Sequence, residues 1–152
     1  MTPSDEVRSG PVATGITLVI TQVTSASALA AACAMAKTAV TAFDTPDGAV
    51  AIVDQASDPA GTAATISGLL RDIPILVMHS ADGQITAHMW ERGEQSAEVS
   101  PALALAGAAE VVEQLLTGQL AVSDLDPVIS SAQMSRWKAM RILASARRAG
   151  RR

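Results

Sequence analysis

Aromatic residues and cysteine are scarce in this chain of 152 residues, and their scarcity excludes several classes of protein. There is no tyrosine, one phenylalanine and a single cysteine, Cys33. One cysteine forms no intramolecular disulfide and supports no cysteine-based zinc site. Its place in an alanine-rich helical run favours a small buried residue over a reactive thiol. With two histidines in the chain, we expect no metal and no other cofactor.

The chain also lacks long hydrophobic runs and a basic segment followed by an apolar one near its start. Residues 1–14 are polar, acidic and rich in proline and glycine, which does not fit a signal peptide. No apolar run is long enough to span a bilayer. We therefore expect a cytoplasmic protein in which residues 1–14 form a flexible N-terminal segment.

Two continuous apolar runs are the strongest structural signals that are present. The first run covers residues 49–53 and is followed by Asp54. The second covers residues 73–78 and is followed by His79-Ser80. Runs without alternation are typical of strands that are covered on both faces, as in a parallel sheet. Between them, Asp58-Pro59 predicts the start of a helix, with an aspartate at the cap and a proline in the first turn.

The rest of the chain alternates between strand and helix patterns, and two segments fit both. Residues 38–43 continue the preceding helix or form a short strand, and residues 84–92 form a helix or a strand. The other predicted elements are strands over 16–21 and 96–99 and helices over 26–36, 101–116 and 130–149.

This alternation predicts an α/β fold, a three-layer sandwich with a mostly parallel sheet of four or five strands. Residues 15–123 would form this domain, and residues 124–152 a linker followed by a basic C-terminal helix. In open parallel sheets, ligands bind at the edge where the carboxyl ends of the strands meet. The residues expected at such a strand-edge pocket are Thr21, Gln22, Asp54, His79, Ser80 and Ser100.

The segment from Ala49 to Ser123 resembles the second half of a receiver domain from bacterial response regulators. It shares the apolar strand closed by Asp54, the run over residues 71–78, the turn at Trp90–Gly93 and a helix that begins with a proline. The resemblance implies a receiver-like, flavodoxin-like fold with Asp54 at the position of the phosphoacceptor. It also implies a homodimer, because receivers commonly associate through their helices.

Other residues of a phosphorylatable receiver are absent. Thr21-Gln22 stand where an acidic pair would hold Mg²⁺, and Val99–Pro101 contains no lysine to contact a phosphoryl group. Phosphoryl transfer to Asp54 would therefore lack its charge stabilisation. The resemblance thus implies a degenerate receiver that works without phosphorylation. Such a domain would be a non-enzymatic module of signalling or transcription regulation that binds a protein partner.

Positive charge is concentrated at the C-terminal end. Residues 1–126 contain all fifteen acidic residues and four basic ones, a net charge of −11, whereas seven basic residues and no acidic residue follow Gln133. Trp137, Met140 and Ala144 fall on one stripe of the predicted helix. The residues expected to contact a partner are Arg136, Trp137, Lys138, Arg141, Arg147, Arg148, Arg151 and Arg152.

This basic helix leaves several functions open. It suits an acidic protein surface, the acidic part of its own chain, nucleic-acid phosphates or an anionic membrane surface. It also suits a solvated helix that aids solubility. Small-molecule binding at the strand edge is a further alternative to these contacts.

Overall fold

The computed structural model describes the backbone of residues 15–150 and the side chains of residues 15–145. The predicted flexible segment 1–14 lies outside the described residues. The strands are β1 (Ile16–Ile20), β2 (Val40–Thr45), β3 (Gly48–Val53), β4 (Ile75–Ala81), β5 (Gln84–Glu91), β6 (Glu94–Val99) and β7 (Ile129–Ser130). The helices are α1 (Ala26–Met35), α2 (Pro59–Leu69), α3 (Pro101–Ala106), α4 (Glu110–Leu116) and α5 (Arg136–Gly150). Short 3₁₀ turns cover Val122–Asp124 and Ser131–Gln133.

All seven strands form one antiparallel sheet in the order β6-β5-β4-β1-β3-β2-β7. The central strand β1 runs antiparallel to both neighbours, so that Leu18 faces Ile52 on one side and Met78 on the other. The expected mostly parallel sheet of four or five strands is therefore wrong. Strands β3 and β4 do point the same way, but β1 lies between them.

The apolar runs gave the wrong strand direction because both faces of this antiparallel sheet are covered by helices. On one face, α1 and α2 bury Leu29 and Ile66 against β1, β2, β3 and β4. On the other face, α3 and α4 bury Ala104 and Leu115 against the same sheet. A strand that is buried on both faces is apolar throughout whichever way its neighbours run, so this pattern does not report direction.

Tight hairpin turns produce the antiparallel pairing of β4 with β5 and of β5 with β6. Asp82 and Gly83 have φ values of 54° and 79° between β4 and β5, and Arg92 and Gly93 have φ values of 52° and 87° between β5 and β6. Two consecutive positive φ values define the turn whose twist matches that of paired strands. The segment 84–92, which the sequence left open between helix and strand, is therefore β5 up to Glu91, and Arg92 begins the following turn.

The helices depart from the prediction mainly at their ends. The cap of α2 is confirmed, since the Gly61 amide donates to Asp58 Oδ2 at 3.0 Å. The predicted helix over 101–116 is interrupted at Gly107, which caps α3 before α4 begins. The second ambiguous segment, 38–43, lies mostly in β2.

The segment that precedes α5 is part of the sheet. Residues 124–129, predicted to be a linker, and residues 130–135, predicted to begin the C-terminal helix, instead contain β7, which pairs with β2 through Thr41–Ser130 and Ala42–Ile129. Ser131 Oγ then accepts the Val40 amide at 2.9 Å and donates to the Thr38 carbonyl at 2.6 Å. Helix α5 begins at residue 136 rather than 130 and packs on the outer side of α1.

Candidate functional site

The predicted strand-edge residues are divided between two ends of the sheet. Asp54 and Ser80 lie where β1 begins, because β3 and β4 both end there and Ile16 pairs with Ser80. Thr21 and Gln22 follow the other end of β1, and Thr21 Oγ1 donates to the Ala49 carbonyl at 2.7 Å. The antiparallel direction of β1 thus separates residues that a parallel sheet would have brought together.

His79 is bound to the neighbouring strand. Its Nδ1 lies 2.6 Å from Thr17 Oγ1, and Thr17 is buried. Ser80 points to the opposite face of the sheet, since successive strand residues alternate. Ser100 follows Val99, which pairs with Ala87 on β5, so β5 separates it from the strand that carries His79. The structure therefore does not assemble these residues into a nucleophile and its base.

Asp54 shapes the turn between β3 and α2. Its Oδ2 accepts the Ala56 amide at 3.1 Å, and its carbonyl accepts the Ser57 amide at 2.9 Å. In the described part of the chain, no three histidine, cysteine, aspartate or glutamate residues are grouped so that they would hold a metal ion.

A pocket of about 220 Å³ lies beside Asp54. It is lined by Gly15, Ile16, Thr41, Ile52, Val53, Asp54, Gln55 and Val122. Neither His79 nor Ser80 contributes to it, so the predicted strand-edge residues share no single pocket.

Cys33 is a packing residue of α1. Its side chain is fully buried within the core on the α1 side of the sheet. Burial raises the pKa of the Cys33 thiol to about 12, because the charged thiolate loses its hydration there. The complete burial of Cys33 confirms the prediction of a small buried residue.

The outward surface of α5 carries an unusual combination of side chains. Trp137 is 67% exposed and Met140 is 46% exposed, whereas Ala139 on the opposite side is fully buried. Positions 137, 140, 141 and 144 follow the spacing of one helix stripe. We call this surface the α5 face; its exposed residues are Arg136, Trp137, Lys138, Met140, Arg141 and Ala144.

The cations of the α5 face are not neutralised by the helix beneath it. Within the described side chains they pair with no carboxylate; the ion pair found there joins Arg92 to Asp72 at 3.1 Å. The chain contains no acidic residue from position 16 to position 43, so α1 offers no counter-charge. Helix α5 therefore contacts its own acidic chain through small and apolar side chains rather than through charge.

The remaining predicted contact residues lie beyond the described side chains. The backbone of Arg147 and Arg148 continues α5, and Arg151 and Arg152 lie outside the described residues. Two residues that fix the α5 face, Ser131 and Ala139, were not predicted. Ala139 lies at helical spacing with Ile142 and Leu143, a signal for a buried stripe, but no sequence signal indicates the hydrogen bonds of Ser131.

No protein-family model matches this chain, and no match was found among the curated proteins or the solved structures. The resemblance to receiver domains therefore gains no support from these comparisons, and the antiparallel sheet differs from the sheet that it implied. Over the described residues, no helix is both long enough and apolar enough to cross a membrane.

Proposed function

We propose that this protein is a non-enzymatic interaction module that binds a protein partner through the α5 face. The observation that carries this proposal is a tryptophan that is 67% exposed, next to a half-exposed methionine and three cations, on a helix whose other side is held by the fold. Tryptophan, methionine and arginine are enriched in protein interfaces, and buried tryptophan and arginine side chains often dominate the binding energy.

The α5 face is held in place before any partner binds. Ser131 connects the preceding turn to β2, and Ser135 Oγ accepts the Lys138 amide at 3.1 Å at the start of the helix. Ala139 packs into the contact with α1. A surface that is already ordered loses less conformational entropy on binding, which favours affinity.

Three residues that were candidates for chemistry have structural roles instead, which supports a function without catalysis. His79 holds Thr17, Asp54 caps a turn and Cys33 is buried with a raised pKa. None of these side chains belongs to the α5 face. Binding is therefore the function that the exposed chemistry of this chain supports best.

Nucleic-acid binding is the second candidate, favoured by the same cations and the exposed Trp137. Arginine and lysine would contact phosphates, and an aromatic ring stacks on unpaired bases. The described residues expose one aromatic side chain on this face, and so they offer a single stacking position.

Site-specific photo-crosslinking separates these candidates. A photoreactive phenylalanine derivative replaces Ala144, an exposed residue on the same stripe as Trp137, in the full chain and in the cells that produce it. A control chain carries the derivative at Leu103, which is 72% exposed on α3. We expect a discrete protein adduct from position 144 that is absent from position 103. Identical adducts from both positions, or adducts with nucleic acid alone, would contradict the proposal.

A further inference from the structure

Building on this proposed function, we infer that the partner presents an acidic segment to the α5 face: carboxylates that flank one apolar side chain. The apolar side chain would contact Trp137 and Met140, which lie one helical turn apart. The carboxylates would pair with Arg136, Lys138 and Arg141, which border them. Arginine binds carboxylates through two parallel hydrogen bonds, so such pairs give specificity as well as attraction.

The charge of the α5 face has no complement among the described residues. Its three described cations lie within two turns of one helix and pair with no described carboxylate, and α1 beneath them has no charged residue. These cations can therefore attract a negatively charged partner. Once a partner excludes water from the face, these interactions strengthen because the local dielectric constant falls.

Folding of the helix does not account for these cations. Arg136 and Lys138 occupy the first turn of α5, which contains no acidic residue. The helix dipole favours negative side chains in a first turn and disfavours positive ones. The cations thus weaken the isolated helix slightly, which points to a role outside it.

A second copy of the same face is a poor occupant. Two α5 faces in contact would place Arg136, Lys138 and Arg141 against the same cations, and like charges in an interface oppose binding.

An extended polyanion is also disfavoured as a partner of the α5 face. Residues 1–126 carry a net charge of −11, and this charge repels any part of a duplex or an anionic bilayer that comes within a Debye length, about 8–10 Å. A short acidic segment contacts α5 alone and avoids most of this repulsion.

Selection from random peptides tests the inference without a known partner. A phage-displayed library of 12-residue peptides is selected on the full chain, and the enriched peptides are synthesised with their acidic residues intact or replaced by Asn and Gln. Binding is measured by calorimetry at low and high salt. We expect enriched peptides to combine Asp or Glu with one apolar anchor, and neutralisation to raise their Kd by about tenfold or more.

Three variants connect this binding to the α5 face. A triple variant, Arg136→Gln/Lys138→Gln/Arg141→Gln, removes the described cations of the α5 face. A single variant, Trp137→Ala, removes its apolar anchor. Both should abolish measurable binding of the enriched peptides. Lys37→Gln/Arg71→Gln/Arg92→Gln changes the net charge equally at exposed positions elsewhere and should bind like the native chain. Circular dichroism and the thermal unfolding midpoint establish that each variant is folded.

The outcomes distinguish the two proposals. Enriched peptides without acidic residues that still require Trp137 would overturn the acidic partner and leave the proposed function standing. No enrichment, or binding of duplex DNA or of phosphatidylserine vesicles alone, would overturn both. Self-association in sedimentation equilibrium that is lost in the first triple variant would identify a second copy as the occupant and overturn the inference. Enriched peptides that bind all variants equally would place the contact elsewhere and overturn both proposals.

Discussion

Helices α1 and α5 lie against each other, yet their surroundings differ. Helix α1 is enclosed between the sheet and α5, and its ten residues contain no charge. Helix α5 contacts α1 on one side and faces solvent on the other, where Trp137 and the cations lie. The residue types of α1 follow from packing alone, whereas packing accounts for one side of α5 and leaves the other to be explained by function.

The small side chains of α1 allow this arrangement. Ala30 and Ala31 are fully buried, as is Ala139 across the contact with α5. A helix with small residues on both sides fits between two layers at close approach, where larger side chains would leave no room.

Thiol labelling should show the largest difference between the two helices. Cys33 in α1 is buried and its pKa is about 12, whereas a cysteine introduced as Met140→Cys in a Cys33→Ala background would be exposed on α5. At pH 8, we expect Cys33 to react with an aromatic disulfide reagent at least about 10³-fold more slowly, because its reaction requires the fold to open. Comparable rates in the folded chains, measured by absorbance, would show that α1 is not enclosed.

The same thiol makes stability depend on pH. Burial raises its pKa from the ordinary value of 9.0 to about 12, so the folded chain keeps a proton that the unfolded chain releases above pH 9. The contribution of Cys33 to stability is therefore fully present below pH 9 and is lost as pH rises toward 12. Cys33→Ala should remove this part of the pH dependence of the free energy of unfolding. Denaturant unfolding between pH 8 and 10 measures the change.

Truncation of an apolar side chain should destabilise α1 far more than α5. Leu29→Ala removes a side chain that is 2% exposed, and we expect the free energy of unfolding to fall by about 2–5 kcal/mol. Met140→Ala removes a side chain of similar size from the α5 face and should change it by less than about 0.5 kcal/mol. Urea unfolding followed by circular dichroism measures both, and equal losses would contradict the outward position of Met140.

Enlargement of alanines in α5 should show which side touches α1. Ala139→Leu places a larger side chain at a fully buried position, where no space is available. We expect it to lower the free energy of unfolding by about 1–3 kcal/mol. Ala144→Leu enlarges an exposed position of the same helix and should be nearly neutral. A neutral Ala139→Leu, measured in the same urea experiment, would place the contact with α1 elsewhere.

Removal of the Ser131 hydroxyl should weaken the connection between α5 and the sheet. Ser131→Ala leaves the Val40 amide and the Thr38 carbonyl without this partner, and we expect a loss of about 1–3 kcal/mol. Ser123→Ala, at an exposed position, serves as the control. Amide hydrogen exchange should show faster exchange at Val40 in the first variant and no change in the second.

Reversal of a cation in the first turn of α5 should have the smallest effect on stability and the opposite sign. Arg136→Glu places a negative charge where the helix dipole favours it. We expect the free energy of unfolding to rise by about 0.3–1 kcal/mol at low salt. Arg71→Glu, at an exposed position outside α5, is the control for the change in net charge. A loss of stability specific to Arg136→Glu would show that the fold itself uses this cation.

The sequence by itself determined the strands β1, β3 and β4, the capped start of α2, the buried cysteine and the separation of acidic and basic residues along the chain. These features are local: apolar runs, a capping aspartate with a following proline and the charges of neighbouring residues specify them without reference to distant parts. The stripe of Trp137, Met140 and Ala144 was equally evident from helical spacing.

The tertiary structure decided how these pieces are arranged. Helices on both faces make antiparallel and parallel strands look alike in sequence, so the direction of β1 between β3 and β4 was not encoded in its apolar pattern. Asp82-Gly83 and Arg92-Gly93 favour tight hairpins, but a hairpin signal acts locally and does not fix which strand lies at the centre. Which side of α5 is covered depends on contacts with α1, more than one hundred positions away in the chain, and such pairings follow from packing of the whole fold rather than from any local pattern.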